Sequence, residues 1–519
     1  MTPTKTLTFK NLDALPIYKE LAAKSAHTVD LSKALTQERL HAYLIDYAPF
    51  KFVYSTALVE DEVLNLLQTL ANDQQVIDKY ENMLEGFIIN QSENEKTLHH
   101  LTRNLTPDSF YKEEQKKIGA FAADVHSGTF KSANGKAFDT VVSIGIGGSH
   151  LGPSAMYEAL RYQFNQQAKQ KHLKCHFISN IDPDRAEYVL NQINLDSTLF
   201  IFASKSGTTL ETTSNLEILK AFAESEGFST EQLHRQLIFV TSTSSELPVP
   251  EQSPRFFIDD AISGRFSATS AVGAVVTSLC FGPTIFEEIL AGAHHMDRHA
   301  KNPDIRQNIP LLFALLDVWE HTFLGYPNKL VIPYSESLGN FPKFIQQLVC
   351  ESNGKSVNIR SEPITYPTAP IIISGRGTNS QHSIFQKLHQ GSDIIPTHFI
   401  GVQNKKSQRT AYQKAKKKLN ANLIAQMMTL ALGGQDSDPN KAIVGNKPST
   451  LLLLDNLSPF TLGSLISVYE NLATFQGFLW NLNPFDQQGV QYSKEMSLNL
   501  LTQDTQSTSL SRELKNLLM

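Results

Sequence analysis

The chain has 519 residues, of which 41% are hydrophobic and 19% charged, with a formal net charge of −5. That length exceeds one ordinary core and predicts two or three packed units, and the mild acidity gives no electrostatic reason to expect nucleic acid or an anionic membrane as a partner. Three scattered cysteines, Cys175, Cys280 and Cys350, are too few for a disulfide framework or a cysteine metal site, which suits a reducing compartment.

The first residues, Met1-Thr2-Pro3-Thr4-Lys5-Thr6-Leu7, lack the apolar core of an export signal, so a cytoplasmic protein is expected. From Asn11 to Asn104 the chain is rich in Leu, Ala, Glu, Lys and Gln, as in Glu60-Asp61-Glu62-Val63-Leu64-Asn65-Leu66-Leu67, and carries few Gly or Pro breaks. This composition predicts a helical N-terminal region, bounded here as 1–120.

From Asp139 the texture changes. Thr140-Val141-Val142-Ser143-Ile144 is a β-branched run ending in Gly145-Ile146-Gly147-Gly148-Ser149, with a helical stretch after Pro153. Runs at Cys175–Asn180, Leu199–Ala203 and Leu237–Thr241 repeat the pattern, and short buried strands alternating with helices predict a first α/β unit, 121–295, built on a parallel sheet covered on both faces. Within it, Ala271–Phe286 is the most membrane-like run. Thr277, Ser278 and Pro283 interrupt it and Glu287-Glu288 follows, so it reads as a buried core helix. A second series at Lys329–Tyr334, Ala369–Ile373, His398–Val402 and Thr450–Leu454 predicts a similar unit over 296–519. The expected fold is α/β: two tandem doubly wound parallel-sheet domains preceded by a helical region. Ligands of such sheets bind beyond the carboxyl ends of the strands.

The glycine and hydroxyl clusters fall at those ends. After Leu199–Ala203 comes Ser204-Lys205-Ser206-Gly207-Thr208-Thr209-Leu210-Glu211, where hydroxyls and the free amides of a helix start can converge on an anion. Thr208 and Glu211 also fit a capping box, but a cap does not need so many hydroxyls plus a lysine, so phosphate binding is the better reading. Gly145-Ile146-Gly147-Gly148-Ser149-His150 fails as a dinucleotide fingerprint because His150 occupies the last glycine position; close approach to a small ligand fits better.

Phe341, Phe344, Ile345, Leu348 and Val349 form the apolar stripe of a helix that Asn353-Gly354 stops. At about 100° per residue Glu351 lies at the edge of that stripe, half-buried and in the last turn, where the negative end of the helix dipole disfavours a carboxylate. Gln347, four residues earlier, shares its side of the helix. Local physics alone leaves open a solvated glutamate beside Lys355. Gln487, Gln491 and Lys494 would also share a face if their segment is helical. His295 and His299 are spaced as a helical metal pair, but no acidic third ligand is spaced for them; His99-His100 is similarly weak. The basic run from Asn404 to Asn420, with Lys405, Lys406, Arg409, Lys414, Lys416, Lys417 and Lys418, reads as a solvated helix or arm, since no aromatic series accompanies it.

From roughly Ile89 to Lys494 the chain resembles the glucose-6-phosphate isomerase family, whose fold is of the sugar isomerase (SIS) type. The motifs that carry the resemblance stand in the family's order: the Ser204–Thr209 loop, Ser263-Gly264-Arg265-Phe266-Ser267, the stretch Gln346–Lys355, Gly377-Thr378-Asn379-Ser380-Gln381-His382, and Phe485-Asp486-Gln487-Gln488-Gly489-Val490-Gln491-Tyr492-Ser493-Lys494. The resemblance implies an aldose–ketose isomerase of a sugar phosphate that needs no cofactor or metal and works as a homodimer, with His382 of one subunit reaching the active site of the other. It implies Glu351 as the base, Arg265 as stabiliser of the enediolate, and His382 with Lys494 as ring-opening groups. Ser204, Lys205, Ser206 and Thr209 would hold the phosphate; Gly148, Ser149, Gln347 and Gln487 would line the sugar. Ser263 and Ser380 stand where the family usually has glycine, Cys350 where methionine is common, Gln488 where tryptophan is common, and Glu95 where arginine is usual. The alternatives are a non-catalytic sugar-phosphate sensor, which could dispense with Glu351, His382 and Lys494, and an isomerase of another phosphosugar.

Overall fold

The computed structural model describes residues 7–104, 109–164, 172–403, 409–502 and 509–518. Among the described residues eleven strands form two sheets. A hairpin of β1 (Leu44–Tyr47) and β2 (Phe50–Val53) comes first, followed by β3 (Thr140–Ile144), β4 (Lys174–Ile178), β5 (Thr198–Ala203), β6 (Leu237–Ser242) and β7 (Arg255–Ile258). The remaining strands are β8 (Asn328–Pro333), β9 (Ile371–Ser374), β10 (Thr397–Val402) and β11 (Ser449–Leu454). One sheet is parallel throughout, in the order β4-β3-β5-β6-β7; the other runs β1-β2-β11-β10-β8-β9. Every residue of β3, β5 and β6 is buried, as expected of strands covered on both faces, which is why they appear in the sequence as unbroken apolar runs.

Three strands were not anticipated. The N-terminal region contains the expected helices, such as Asp61–Asp73 and Val76–Leu84, but residues 44–53 leave it to pair antiparallel with β11, Val53 opposite Leu451. In β2 the buried residues are Phe50 and Phe52, alternating with half-buried Lys51 and Val53, a four-residue signal too short to stand out from helix-rich surroundings. β7 is an equally short edge strand with the same alternation.

The Ala271–Phe286 run is divided at Gly282 into the helix Ala271–Phe281, every residue of which is buried, and the helix Pro283–His299. The latter crosses the helix Pro459–Leu479, which is buried along almost its whole length. The two backbones touch: a Cβ on Gly463 would lie 1.8 Å from the Ile289 carbonyl oxygen, and one on Gly292 1.8 Å from that of Phe460. Arg103, with a fully buried side chain, ties the same layer together by bonding Asp297 at 2.8 Å and pairing with Glu470. Among the described residues no helix is long and apolar enough to cross a membrane.

His295 and His299 both stack on Tyr47; the Nε2 atoms meet the Ala48 carbonyl oxygen at 2.9 Å and the Ile309 amide at 3.0 Å respectively, so both rings have packing roles. Burial lowers His299 to about 4, with His295 adding to the shift. Of the basic run, Lys405 and Lys406 lie outside the described residues, while Lys414, Lys417 and Lys418 are exposed on the helix Thr410–Leu432.

The glycine crossing predicts that Gly463→Ala separates the two central helices and destabilises the protein by about 1–3 kcal/mol, read as a lower denaturation midpoint. Gly434→Ala, at a position with no atom within 4 Å of the added carbon, should leave the midpoint nearly unchanged.

Candidate active site

β3 and β5 are neighbours, with Ile144 opposite Phe202, so the loops leaving their carboxyl ends run side by side. The first, Gly145–Ser149, feeds the helix Gly148–Phe164. Its start is pressed against the turn Gly264–Phe266: a Cβ on Gly148 would lie 1.9 Å from the Gly264 carbonyl oxygen, so only glycine allows this approach. Ser149 is half-buried at the same helix start, and the neighbouring Gly147 faces the Gln347 amide nitrogen. His150, which follows, is held neutral by burial, its pKa lowered to about 4, with Lys343 and Arg185 adding repulsion.

The second loop, Ser204–Thr209, precedes the helix Leu210–Ser225. Thr209 is the N-cap residue but its side chain makes no cap bond; its hydroxyl meets that of Ser204 at 3.0 Å, and Ser204 Oγ accepts from the Gly207 amide at 3.1 Å. Ser206 Oγ accepts from Thr208 N at 3.2 Å. The Thr208–Glu211 capping box is therefore not formed, and the hydroxyls gather at the loop instead of serving the helix. Lys205 Nζ donates to the Asp260 carbonyl oxygen at 2.5 Å.

Arg265 lies at the centre of the other half of the site. Its side chain is 1% exposed, yet its donors are met: Nε by Ser352 Oγ at 2.7 Å, Nη1 by Gln487 Oε1 at 2.6 Å, and Nη2 by the carbonyl oxygens of Pro484 at 2.6 Å and Asp486 at 2.9 Å. Burial lowers its pKa, opposed by Glu351, Asp486 and Glu93, and a guanidinium starts so far above neutrality that it remains a cation. Nη1 also faces Glu351 Oε2 at 3.9 Å.

Glu351 occupies the last turn of the helix Phe341–Asn353, whose Phe341, Phe344, Ile345, Leu348 and Val349 are all buried, as expected from their spacing. Its side chain is 27% exposed and accepts from Gln347 Nε2 at 2.9 Å; Gln347 Oε1 is buried without a hydrogen-bond partner. Lys355 does not accompany Glu351 into solvent. Its Nζ donates to the Asp486 carbonyl oxygen at 3.0 Å and to Asp486 Oδ1 at 2.5 Å, and also bonds the Asn483 carbonyl oxygen. Asn483 and Ser92 bind the other oxygen of Asp486, and Asn483 Nδ2 reaches Asn90 at 2.7 Å.

Glu351, Arg265, Gln347 and Gln487 are thus linked by direct contacts within one chain; His382 and Lys494 are not among those contacts. His382 ends the turn Asn379–His382 and is exposed, and Lys494 is exposed on the helix Gln491–Thr502. Among the described residues neither hydrogen-bonds nor ion-pairs with the Glu351 cluster. The shared face of Gln487, Gln491 and Lys494 holds only in part, because the α-helix begins at Gln491, after the 3-10 turn Gln488–Val490, and Gln487 precedes both, its side chain turned back to Arg265. Sequence reasoning missed Ser352, Lys355 and Asp486 as supports of Arg265, although each lies inside a motif already singled out. The unusual residues have local roles: Ser263 Oγ donates to the Phe485 carbonyl oxygen at 2.9 Å, Ser380 Oγ accepts from the Arg376 amide at 2.7 Å, and Gln488 reaches Glu93 at 3.5 Å. Cys350 points away from the site toward the Pro370 carbonyl oxygen, its thiol pKa raised by burial, and Glu95 is exposed.

The family model described as phosphoglucose isomerase matches residues 53–514. A glucose-6-phosphate isomerase of Treponema denticola is 44% identical over 520 residues, covering 96% of this chain and 97% of its own; that of Borreliella afzelii is 42% identical with the same coverage. The crystal structure of a glucose-6-phosphate isomerase from Chlamydia trachomatis superposes with a TM-score of 0.89 at 37% identity, covering 98% of this chain and 100% of its own. A hypothetical protein from Thermus thermophilus, 21% identical with a TM-score of 0.64, shares the fold over 84% of this chain and 96% of its own.

Proposed function

The chain belongs to the phosphoglucose isomerase family, and on that premise we propose that it interconverts glucose 6-phosphate and fructose 6-phosphate, a step of glycolysis and gluconeogenesis, by proton transfer through a cis-enediol(ate). The observation that carries the mechanism is the pairing of Glu351 with Arg265 at 3.9 Å. Isomerisation needs a base that can take a proton from carbon and a cation that cannot supply one in its place. Glu351 removes the proton from C2 of the open-chain aldose and delivers it to C1, and the reverse reaction runs the same path. Negative charge develops on the enediolate oxygens, where a fixed guanidinium in a water-poor site stabilises it without reorganising.

The hydroxyls of Ser204, Ser206 and Thr209, with Lys205, hold the phosphate; Lys205 leaves the Asp260 carbonyl to do so. Anchoring this end of the substrate, which does not react, places C1 and C2 over Glu351. Gly148, Ser149, Gln347 and Gln487 line the sugar, and the unpartnered Oε1 of Gln347 is free to accept from a sugar hydroxyl. This chemistry involves proton transfers and one anionic intermediate, so it requires neither redox cofactor nor metal; Arg265 takes the part of the Lewis acid. Ring opening falls to His382 aided by Lys494. Because His382 is exposed and makes no hydrogen bond or ion pair with Glu351 among the described residues, the reading assigns the protein to a cytoplasmic homodimer in which His382 completes the site of the other subunit.

Glu351→Gln should lower the rate of isomerisation in a coupled assay by about 10²–10⁴-fold, the usual contribution of a positioned acid–base group, while sugar-phosphate binding stays within a few-fold. Near-normal turnover would remove Glu351 from the role of base. The subunit arrangement is tested by co-refolding inactive Glu351→Gln and His382→Ala chains. Random pairing places one intact site in half of the dimers, so about one quarter of wild-type activity should return; no recovery would contradict exchange of His382 between subunits.

A further inference from the structure

The stretch Glu351-Ser352-Asn353-Gly354-Lys355 supplies the proposed base, then the acceptor for Arg265 Nε, and then a lysine whose Nζ bonds all go to one irregular segment. That segment, residues 483–487, contains neither helix nor strand, so its carbonyl oxygens are not fixed by a backbone ladder. Yet it provides three of the four acceptors of Arg265: the carbonyl oxygens of Pro484 and Asp486 and the side chain of Gln487. The Asp486 carbonyl oxygen is shared, 2.9 Å from Arg265 Nη2 and 3.0 Å from Lys355 Nζ.

We propose that Lys355, through its ion pair with Asp486, is a positioning residue for the isomerisation: it holds the 483–487 segment so that Arg265 is presented to the substrate opposite Glu351. A second cation beside a buried guanidinium is unfavourable for stability alone. Burial lowers the pKa of Lys355 and Arg265 repels it, with Asp486 and Glu93 opposing both effects. What Lys355 provides is three donors aimed at a loop that would otherwise be held by Asn483, Ser92 and Ser263. Without it the carbonyl oxygens that grip Nη2 loosen, and the guanidinium turns from the place where enediolate charge appears.

This inference rests on the proposed reaction and has its own kinetic signature. Arg265 acts on charge that exists only near the transition state, so a misplaced guanidinium lowers kcat and leaves KM almost untouched. Lys355→Met should lower kcat with fructose 6-phosphate by about 10–100-fold, with KM within about threefold, as expected for loss of a group that orients a reacting one. Lys355→Arg, which keeps the charge and several donors, should recover most of that loss. A folded Lys355→Met enzyme with kcat within about twofold of wild type, or with KM raised and kcat unchanged, overturns the proposal. If Lys355→Met does not fold, Asp486→Asn decides: it keeps the shared carbonyl but removes the ion pair, and wild-type kcat in that variant overturns the proposal equally. Wild-type protein without turnover would instead overturn the reading of the reaction.

Discussion

The site depends on the burial of one guanidinium. A charge taken out of water is tolerable only if its donors find acceptors, and Arg265 finds them in two places far apart in sequence, Ser352 at the end of a core helix and the irregular segment at Pro484–Gln487. To satisfy Arg265 the chain after the central helix Pro459–Leu479 has to turn back against the Gly264–Phe266 turn, and the helix beginning at Gly148 has to stop short of that turn by the width of a missing methyl group. Each of these contacts is an ordinary requirement of satisfied polar groups or close packing. Together they leave one edge of the guanidinium facing a carboxylate.

The two sheets contribute differently. The parallel sheet places the Gly145–Ser149 and Ser204–Thr209 loops at adjacent carboxyl ends, where hydroxyls gather at the proposed phosphate site. The mixed sheet supports the Phe341–Asn353 helix, which carries Glu351 to the junction. The proposed mechanism uses this division: an anion would be anchored by one sheet while a carbon–hydrogen bond would be presented to a base from the other. Two residues of the motif stretches have local contacts. Ser263 strengthens the link between the Arg265 turn and Phe485, and Cys350 packs against Pro370 on the far side of its helix.

Much of the fold was legible because its central strands are buried on both faces and read as continuous apolar runs. β1, β2 and β7 were not, because four residues with only one or two buried positions carry too little signal against their surroundings. The helix of Glu351 could be drawn from its stripe, and the half-buried position of the carboxylate with it. What could not be read was the company that position keeps. Arg265 is held largely by backbone carbonyl oxygens, which have no sequence signature, and Lys355 looked like the neighbour of Glu351 because the segment that claims it, around Asp486, is distant in sequence. Likewise Gln487 could be placed on a helix face with Lys494 only by assuming a helix that begins four residues later.

The central claim is that a proton, not a hydride, moves between C1 and C2, carried by Glu351 while Arg265 balances the enediolate charge. The most direct measurement is the isomerisation of fructose 6-phosphate in deuterium oxide over many turnovers, with the glucose 6-phosphate formed analysed by NMR. Deuterium accumulating at C2 is the predicted result, because a proton held on a carboxylate that is 27% exposed can exchange with solvent before it is returned to carbon. Sustained turnover with no deuterium at C2 would mean that the migrating hydrogen never rests on a group in exchange with solvent, and would contradict the account of a partly exposed carboxylate as its carrier.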